Sequence, residues 1–265
     1  MKQLFAWTLL LGVAATSGAQ VVLSDGNSSA SIDPTSDGLP FLRGLNSWEV
    51  DGVNQVFQQW YWFRVGESRE HPIDEIGDAV VTQSAPNSAN VAYSNAAVSI
   101  DITFTLAGGT AGSRTADISE IVRIVNRSSA TLDIHLFEYD DFDVSGTFED
   151  DSAMRLDPSS IVQFDELNKV TVGSVAAPDR WQISEVPDIF DLLDDGVASN
   201  LGNTATSNGP GDLAFAFQWD RTLAPGQTFL MSKNELVEAV PEPMTLLAMA
   251  LGLAGLKARR RQGSP

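Results

Sequence analysis

The sequence has 265 residues, with 35 acidic side chains, 16 basic side chains and no cysteine. Its formal charge of −19 repels nucleic acid and anionic membrane surfaces, which excludes nucleic-acid binding as its function. The lack of cysteine excludes disulfides and thiolate chemistry, so stability has to come from a hydrophobic core.

The chain begins with the pattern of a secretory signal peptide. Lys2 precedes an apolar run from Leu4 to Ala15, and small residues follow up to Ala19. A positive start, an apolar stretch too short to span a bilayer comfortably and small residues before the cut are typical of an export signal. The sequence therefore predicts a signal peptide over residues 1–19, cleaved after Ala19.

Residues 20–238 form the predicted main domain, which is strongly acidic. The segment 98–106 alternates apolar and polar residues, as does the segment 213–219, and alternation of this kind is typical of strands with one buried face. Turn-forming residues such as Gly108 and Gly109 separate the runs. The pattern predicts an all-β domain, an antiparallel β-sandwich of jelly-roll-like architecture, with one short helix over 187–196.

An aromatic run lies early in this domain. Trp60 and Trp62 would share one face of a strand, and Tyr61 and Phe63 would share the other. Rings on an exposed face can stack on sugars, which makes Trp60 and Trp62 candidate carbohydrate-binding residues. Aromatic residues are also the natural filling of a sandwich core, so the core interpretation stays open beside the binding one.

An acidic segment further along resembles the start of a calcium-binding loop. Asp141, Asp143 and Ser145 place oxygen ligands at alternate positions, a glycine follows, and Glu149 could supply a further carboxylate. Ser152 stands where the loop of an EF-hand would have its bidentate glutamate, and strands rather than helices flank the segment. The sequence thus predicts either a Ca²⁺ site of another kind or an acidic surface turn.

The C-terminal segment, residues 239–265, has a separate character. A Pro-Glu-Pro triplet is followed by an apolar stretch, predicted as a membrane helix over residues 243–257, and then by a basic cluster. The helix would span roughly 21 Å and is shorter than a bilayer core, so it suits temporary anchoring with the cations in the headgroups. The candidate sorting residues are Val240, Pro241, Glu242, Pro243, Arg259, Arg260 and Arg261.

This arrangement resembles the PEP-CTERM sorting signal, in which a Pro-Glu-Pro motif precedes a short membrane helix and an arginine-rich tail. The resemblance implies recognition and cleavage by an exosortase in the inner membrane of a Gram-negative bacterium. It also implies a final location at the cell surface or in the extracellular matrix, with exopolysaccharide as a partner.

The function expected from the sequence is that of a non-enzymatic structural or interaction protein of the cell surface or matrix, with no catalytic residues. None of the common catalytic motifs occurs, and with so many acidic residues no single carboxylate pair stands out. Two alternatives stay open. One is a calcium-dependent or aromatic-platform carbohydrate-binding module, and the other is a polysaccharide-acting hydrolase or lyase.

Overall fold

The computed structural model describes residues 20–35, 39 and 42–240, together with the backbone of residues 15–17. The predicted signal peptide therefore lies almost wholly outside the described residues, as does the predicted membrane helix over 243–257. Of the candidate sorting residues, only Val240 falls within them. No helix in the described part of the chain is both long and apolar enough to cross a membrane.

Strands make up most of the fold, because alternating residues can bury one side of a sheet while the other side meets water. The first strands in chain order are β1 (Ala15–Ser17), β2 (Val21–Asp25), β3 (Ser28–Asp33), β4 (Gly44–Val50), β5 (Val53–Asn54), β6 (Gln58–Val65), β7 (His71–Pro72), β8 (Val80–Ala85), β9 (Ser88–Ser94) and β10 (Val98–Gly108).

The second half of the chain continues in the same way. One α-helix, α1 (Asp188–Asp194), and a 3₁₀ turn over Val144–Gly146 interrupt the strands. The remaining strands are β11 (Ala116–Asn126), β12 (Leu132–Asp141), β13 (Ser152–Asp157), β14 (Ser160–Phe164), β15 (Asn168–Ser174), β16 (Arg180–Glu185), β17 (Thr204–Ala205), β18 (Leu213–Leu223) and β19 (Thr228–Ala239).

The strands form two sheets. The first sheet has the order β1-β8-β9-β10-β11-β19-β15-β14-β13. The second has the order β17-β16-β18-β12-β6-β4-β3-β2, with β5 beside β4 and β7 beside β6. Among the described strands, all pairings are antiparallel except that of β16 with β17. The predicted all-β, antiparallel character and the single short helix are confirmed, whereas the jelly-roll-like closure into a sandwich stays a prediction.

The two sheets share one hydrophobic core. Inward residues of β10, such as Ile100 and Phe104, belong to the same buried cluster as Phe215 and Trp219 of β18. The second sheet is also covered on its outer side, because Phe190 of α1 packs against Trp62 of β6 with ring centroids 5.8 Å apart. The middle of this sheet is consequently buried on both faces.

Candidate functional site

An acidic pocket lies where β12 ends and β18 begins. Asp141 is the last residue of β12 and is paired with Ala214 of β18, because these strands are antiparallel neighbours. The chain then turns through Val144–Gly146, which leaves Asp143 just after the strand, and Asp212 immediately precedes β18. The topology therefore brings three aspartates from two distant segments to one end of the sheet.

The pocket has a volume of about 390 Å³ and contains both carboxylates and aromatic rings. Potential ligand oxygens of Asp141, Asp143 and Asp212 all lie within 4.8 Å of one another. Phe57 is 46% exposed and Phe148 is 51% exposed, so both rings are open to a ligand. The pocket is lined by Phe57, Asp141, Asp143, Phe148, Val186 and Asp212.

The three carboxyl groups have different environments. Burial raises the pKa of Asp141 to about 8, against the hydrogen bond from Tyr139, and the charges of Asp212 and Asp143 raise it further. Burial and then the charge of Asp212 raise the pKa of Asp143 to about 6. The pKa of Asp212 is also raised, by burial first and by Glu149 second.

Asp141 is the most enclosed of the three, with only 3% of its surface exposed. The Tyr139 hydroxyl donates a hydrogen bond of 2.9 Å to its Oδ2. Its Oδ1 has no hydrogen-bond partner among the described residues. A buried polar atom without a partner is uncommon in folded proteins and is consistent with a site that a ligand completes.

Asp151 holds the rim of the pocket in place. Its Oδ2 accepts hydrogen bonds from the Val144 backbone N–H at 3.2 Å and from Gln163 Nε2 at 2.7 Å. Its backbone also bridges to Gly211, next to Asp212. Burial raises the pKa of Asp151 to about 7, although the hydrogen bonds from Gln163 and Val144 oppose the rise. Asp151 thus ties the turn after β12 to the segment that carries Asp212.

The predicted calcium ligands are only partly brought together. Asp141 and Asp143 line the pocket, but the Ser145 hydroxyl accepts a hydrogen bond of 2.8 Å from Asn168 instead of joining them. Glu149 lines a neighbouring pocket formed by residues 146–150. Asp212 completes the group in their place. The sequence could not indicate Asp212, because only the antiparallel pairing of β12 with β18 places it near Asp141.

The two candidate sugar-stacking residues lie elsewhere. Trp60 is fully buried against Tyr93, and its indole N–H donates to Asp74 Oδ1 at 3.2 Å. Trp62 is buried beneath Phe190. Neither ring reaches solvent, because Tyr93 packs against Trp60 and Phe190 of α1 packs against Trp62. Both therefore pack as core residues here, and exposed aromatic surface at the pocket comes from Phe57 and Phe148.

A second polar group lies on the outer face of β6 and is internally satisfied. Arg64 and Glu70 form a buried ion pair with Nη1 and Oε1 2.6 Å apart. Arg64 also donates to the Ser199 carbonyl and, at 2.8 Å, to Asn200 Oδ1. These contacts use the Arg64 guanidinium to hold the loop that contains Ser199 and Asn200, so the group has a structural role.

Comparisons with known proteins gave matches for the C-terminal segment and for the β domain. The PEP-CTERM protein-sorting motif matches residues 239–261, which confirms the resemblance seen in the sequence. The motif implies recognition by an exosortase and an exported protein of Gram-negative type that passes through the membrane. Most of the matched segment lies outside the described residues, and no curated protein matches the chain.

The β domain is similar in fold to several solved structures at very low sequence identity. A bacterial glucoamylase complexed with acarbose matches with a TM-score of 0.62 and 9% identity over 91% of this chain and 35% of the glucoamylase. A putative aldose 1-epimerase from Escherichia coli K12 matches with 0.57 and 10% over 86% of this chain and 100% of the epimerase. A galactose mutarotase-like protein from Lactobacillus casei matches with 0.51 and 11% over 84% and 100%.

These likenesses are ones of fold, and the chain spans about a third of the length of the glucoamylase. They nevertheless overturn one expectation. The sequence was expected to encode a non-enzymatic domain, and that expectation is wrong because the fold is one that a glucoamylase and an aldose epimerase also use. The expectation rested on the lack of short catalytic motifs in the sequence, and a likeness of fold at such low identity leaves no short motif to find.

Proposed function

We propose that this chain is an exosortase-sorted surface or matrix protein whose β domain, closed as a sandwich of jelly-roll-like architecture, hydrolyses polysaccharide at the acidic pocket. Exopolysaccharide is the substrate class that fits an exported domain with this sorting motif and this fold. The sorting motif supports the location, and the pocket supports the chemistry. The alternative of a lyase is distinguished by its unsaturated product, which absorbs ultraviolet light.

One observation carries the proposal. The pocket holds carboxyl groups whose pKa values differ, about 8 for Asp141 and about 6 for Asp143, beside two exposed phenylalanine rings. At neutral pH Asp141 keeps its proton and can act as the general acid, whereas Asp143 is mostly ionised and can act as base or nucleophile. A sugar ring stacked on Phe57 or Phe148 would meet both groups.

The spacing of the carboxyl groups suggests the reaction course. Oxygens of the three aspartates lie within 4.8 Å of one another. Retaining glycosidases place their two carboxyl groups about 5 Å apart, and inverting enzymes keep them roughly 6.5–9.5 Å apart to admit water. The pocket is therefore closer to the retaining arrangement, with Asp143 as the nucleophile.

A second candidate function rests on the same carboxylates. Two oxygens on opposite sides of one Ca²⁺ ion are about 5 Å apart, because each Ca–O bond is about 2.3–2.6 Å long. Asp141, Asp143 and Asp212 meet that limit, and Asp141 Oδ1 is without a hydrogen-bond partner in residues 20–35, 39 and 42–240. A calcium-dependent carbohydrate-binding module would use all three as ligands, in which case Asp141 is ionised and cannot serve as an acid.

Glycan binding and glycan cleavage, each measured with EDTA and with added Ca²⁺, separate these functions. For a hydrolase, Asp141→Asn and Asp143→Asn abolish the release of reducing ends, and EDTA has no effect. For the calcium-dependent module, EDTA abolishes binding and Ca²⁺ restores it. Glu67→Gln, an exposed acidic position away from the pocket, is the matched control and leaves both readouts unchanged. A protein that neither binds nor cleaves any glycan would refute the proposal.

Sorting is tested separately by replacing Glu242, which lies outside the described residues. The expected result is that Glu242→Ala accumulates in the inner membrane with its C-terminal segment intact. Release of this variant at the wild-type level would contradict handling by an exosortase, whatever the outcome of the glycan assays.

A further inference from the structure

A cluster of charged residues lies fully buried between the two sheets. Lys233 Nζ is 2.5 Å from Glu138 Oε1, 2.5 Å from Glu235 Oε1, 3.1 Å from Glu120 Oε1 and 3.9 Å from Asp140 Oδ1. None of these side chains has measurable exposure. We call the five residues the core charge cluster: Glu120, Glu138, Asp140, Lys233 and Glu235.

The cluster joins the two sheets. Glu120 of β11 and Lys233 of β19 are direct cross-strand partners in the first sheet, and Glu235 lies two residues further along the same face. Glu138 and Asp140 lie on β12 of the second sheet. The lysine side chain therefore reaches across the core from one sheet to carboxyl groups of the other.

The cluster is unbalanced in charge, since one ammonium faces four carboxyl groups. Burying ions without partners is very unfavourable, so such groups become neutral instead. Burial, and then the charge of Glu138, raise the pKa of Asp140 well above its usual range. In the part of the chain that the structure describes, neither carboxyl oxygen of Asp140 receives a hydrogen bond from another residue. Burial and the neighbouring carboxyl group thus favour the neutral form of Asp140, which can share its proton with Glu138.

We propose that Lys233 Nζ and Asp140 Cγ condense within the folded protein to form an amide bond that links the two sheets covalently. The amine and the carboxyl group are held beside each other in a site from which water is excluded. Asp140 Oδ1 lies 3.9 Å from Nζ, farther than the nearest oxygens of the three glutamates, so the lysine has to move toward Asp140 to bring Nζ within the roughly 3–3.5 Å at which reacting atoms lie before attack. No enzyme or cofactor is needed.

The neighbouring glutamates supply the proton transfers. Burial alone would lower the pKa of Lys233, but Glu120, Glu138 and Glu235 raise it well above its usual range, so a proton has to leave first. That proton passes to Glu138 over 2.5 Å, and the free amine attacks Cγ of neutral Asp140. Glu235 takes a second proton from the nitrogen, and the hydroxyl departs as water with the proton held by Glu138. Overall, an ammonium and a carboxylic acid give an amide, a water molecule and a proton.

Such a bond would do what disulfides do in other exported proteins. The chain has no cysteine, so no disulfide can staple its core. A bond between positions 140 and 233 closes a long loop and thereby restricts the unfolded chain. Only two lysines, Lys169 and Lys233, occur between residues 20 and 240, which makes the linked position easy to identify.

Mass spectrometry of the purified protein tests the proposal directly. The expected result is a protein lighter than its sequence mass by one water. Digestion by trypsin should release peptide 128–155, which holds Asp140, joined to the peptide that starts at Thr222 and runs uncut through Lys233. A full sequence mass, with these two peptides separate and cleavage after Lys233, overturns the proposal. A bond located on Glu120, Glu138 or Glu235 also overturns the assignment to Asp140.

Two variants sharpen the test without relying on stability. Asp140→Asn keeps an electrophilic carbon but changes the leaving group, so the linked protein should be lighter by one ammonia instead of one water. Lys169→Arg changes the exposed lysine and should leave the loss of water intact. Persistent loss of water in Asp140→Asn would contradict the proposal.

Discussion

Replacing Asp141 by asparagine should stabilise the protein at alkaline pH and change little at acidic pH. The variant keeps the shape of the side chain, and its amide oxygen can still accept the hydrogen bond from the Tyr139 hydroxyl. It removes the negative charge that this enclosed position carries once Asp141 ionises. The comparison therefore isolates the cost of burying that charge.

The magnitude follows from the pKa of Asp141. Burial raises it from 3.8 to about 8, so the folded protein holds more protons than the unfolded chain between these values. Wild-type stability consequently falls as pH rises through this window. Since one pKa unit corresponds to about 1.4 kcal/mol, the upper limit is about 6 kcal/mol. We expect about 2–4 kcal/mol, because water entry and relaxation of the site reduce such penalties.

The assay is urea denaturation of both proteins at pH 3.5 and pH 9, in EDTA so that no divalent cation contributes. The free energy of unfolding of Asp141→Asn should match that of wild type within about 1 kcal/mol at pH 3.5, below the ordinary pKa of an aspartate, and exceed it at pH 9. Glu67→Gln serves as the exposed control and should show no difference between the two pH values. Equal destabilisation by Asp141→Asn at both pH values would refute the reasoning, because it would mean that Asp141 ionises as an ordinary carboxyl group.

Two further predictions concern the frame around the site and are checked by denaturant unfolding at neutral pH. Arg64→Met should destabilise the protein by about 3–5 kcal/mol, because it leaves Glu70 buried and unpaired, whereas Arg69→Met, at an exposed pair with Glu75, should cost less than about 1 kcal/mol. Gly44→Ala should cost about 2 kcal/mol more than Gly52→Ala. Both glycines have positive φ, but a methyl group at Gly44 meets the Gln59 carbonyl and the Trp60 ring, and at Gly52 it meets nothing. Similar costs within either pair would contradict these packing arguments.

Alternation in the sequence correctly predicted burial for strands whose outer face meets water. It did not predict burial on both faces for strands whose outer face is covered by another element of the fold. The alternation over Val98–Leu106 corresponds to β10, where buried and partly exposed residues alternate as expected. The helix predicted over 187–196 is observed as Asp188–Asp194. In β6, by contrast, the aromatic residues are buried on both faces, because α1 covers the side that alternation alone would leave open.

The sequence predicted only part of the candidate site, because some of its residues come together through tertiary contacts. Asp141 and Asp143 are close in sequence and were predicted together, whereas Asp212 and Asp151 join them through strand pairing and a bridge to Gly211. Lys233 shares the inner face of β19 with Met231 and Val237, so its position follows the alternation of that strand. The carboxyl groups around Lys233 lie on three strands, β11, β12 and β19, and a local sequence pattern cannot predict contacts between strands that are distant in sequence.

A crystal structure of the protein soaked with an oligosaccharide would show whether the acidic pocket binds sugar. We expect electron density for a sugar ring in this pocket, against Phe57 or Phe148, with a glycosidic oxygen or hydroxyl within hydrogen-bond distance of Asp141. Density for the sugar at another place on the domain, with the pocket left to solvent, would rule out polysaccharide hydrolysis at the pocket.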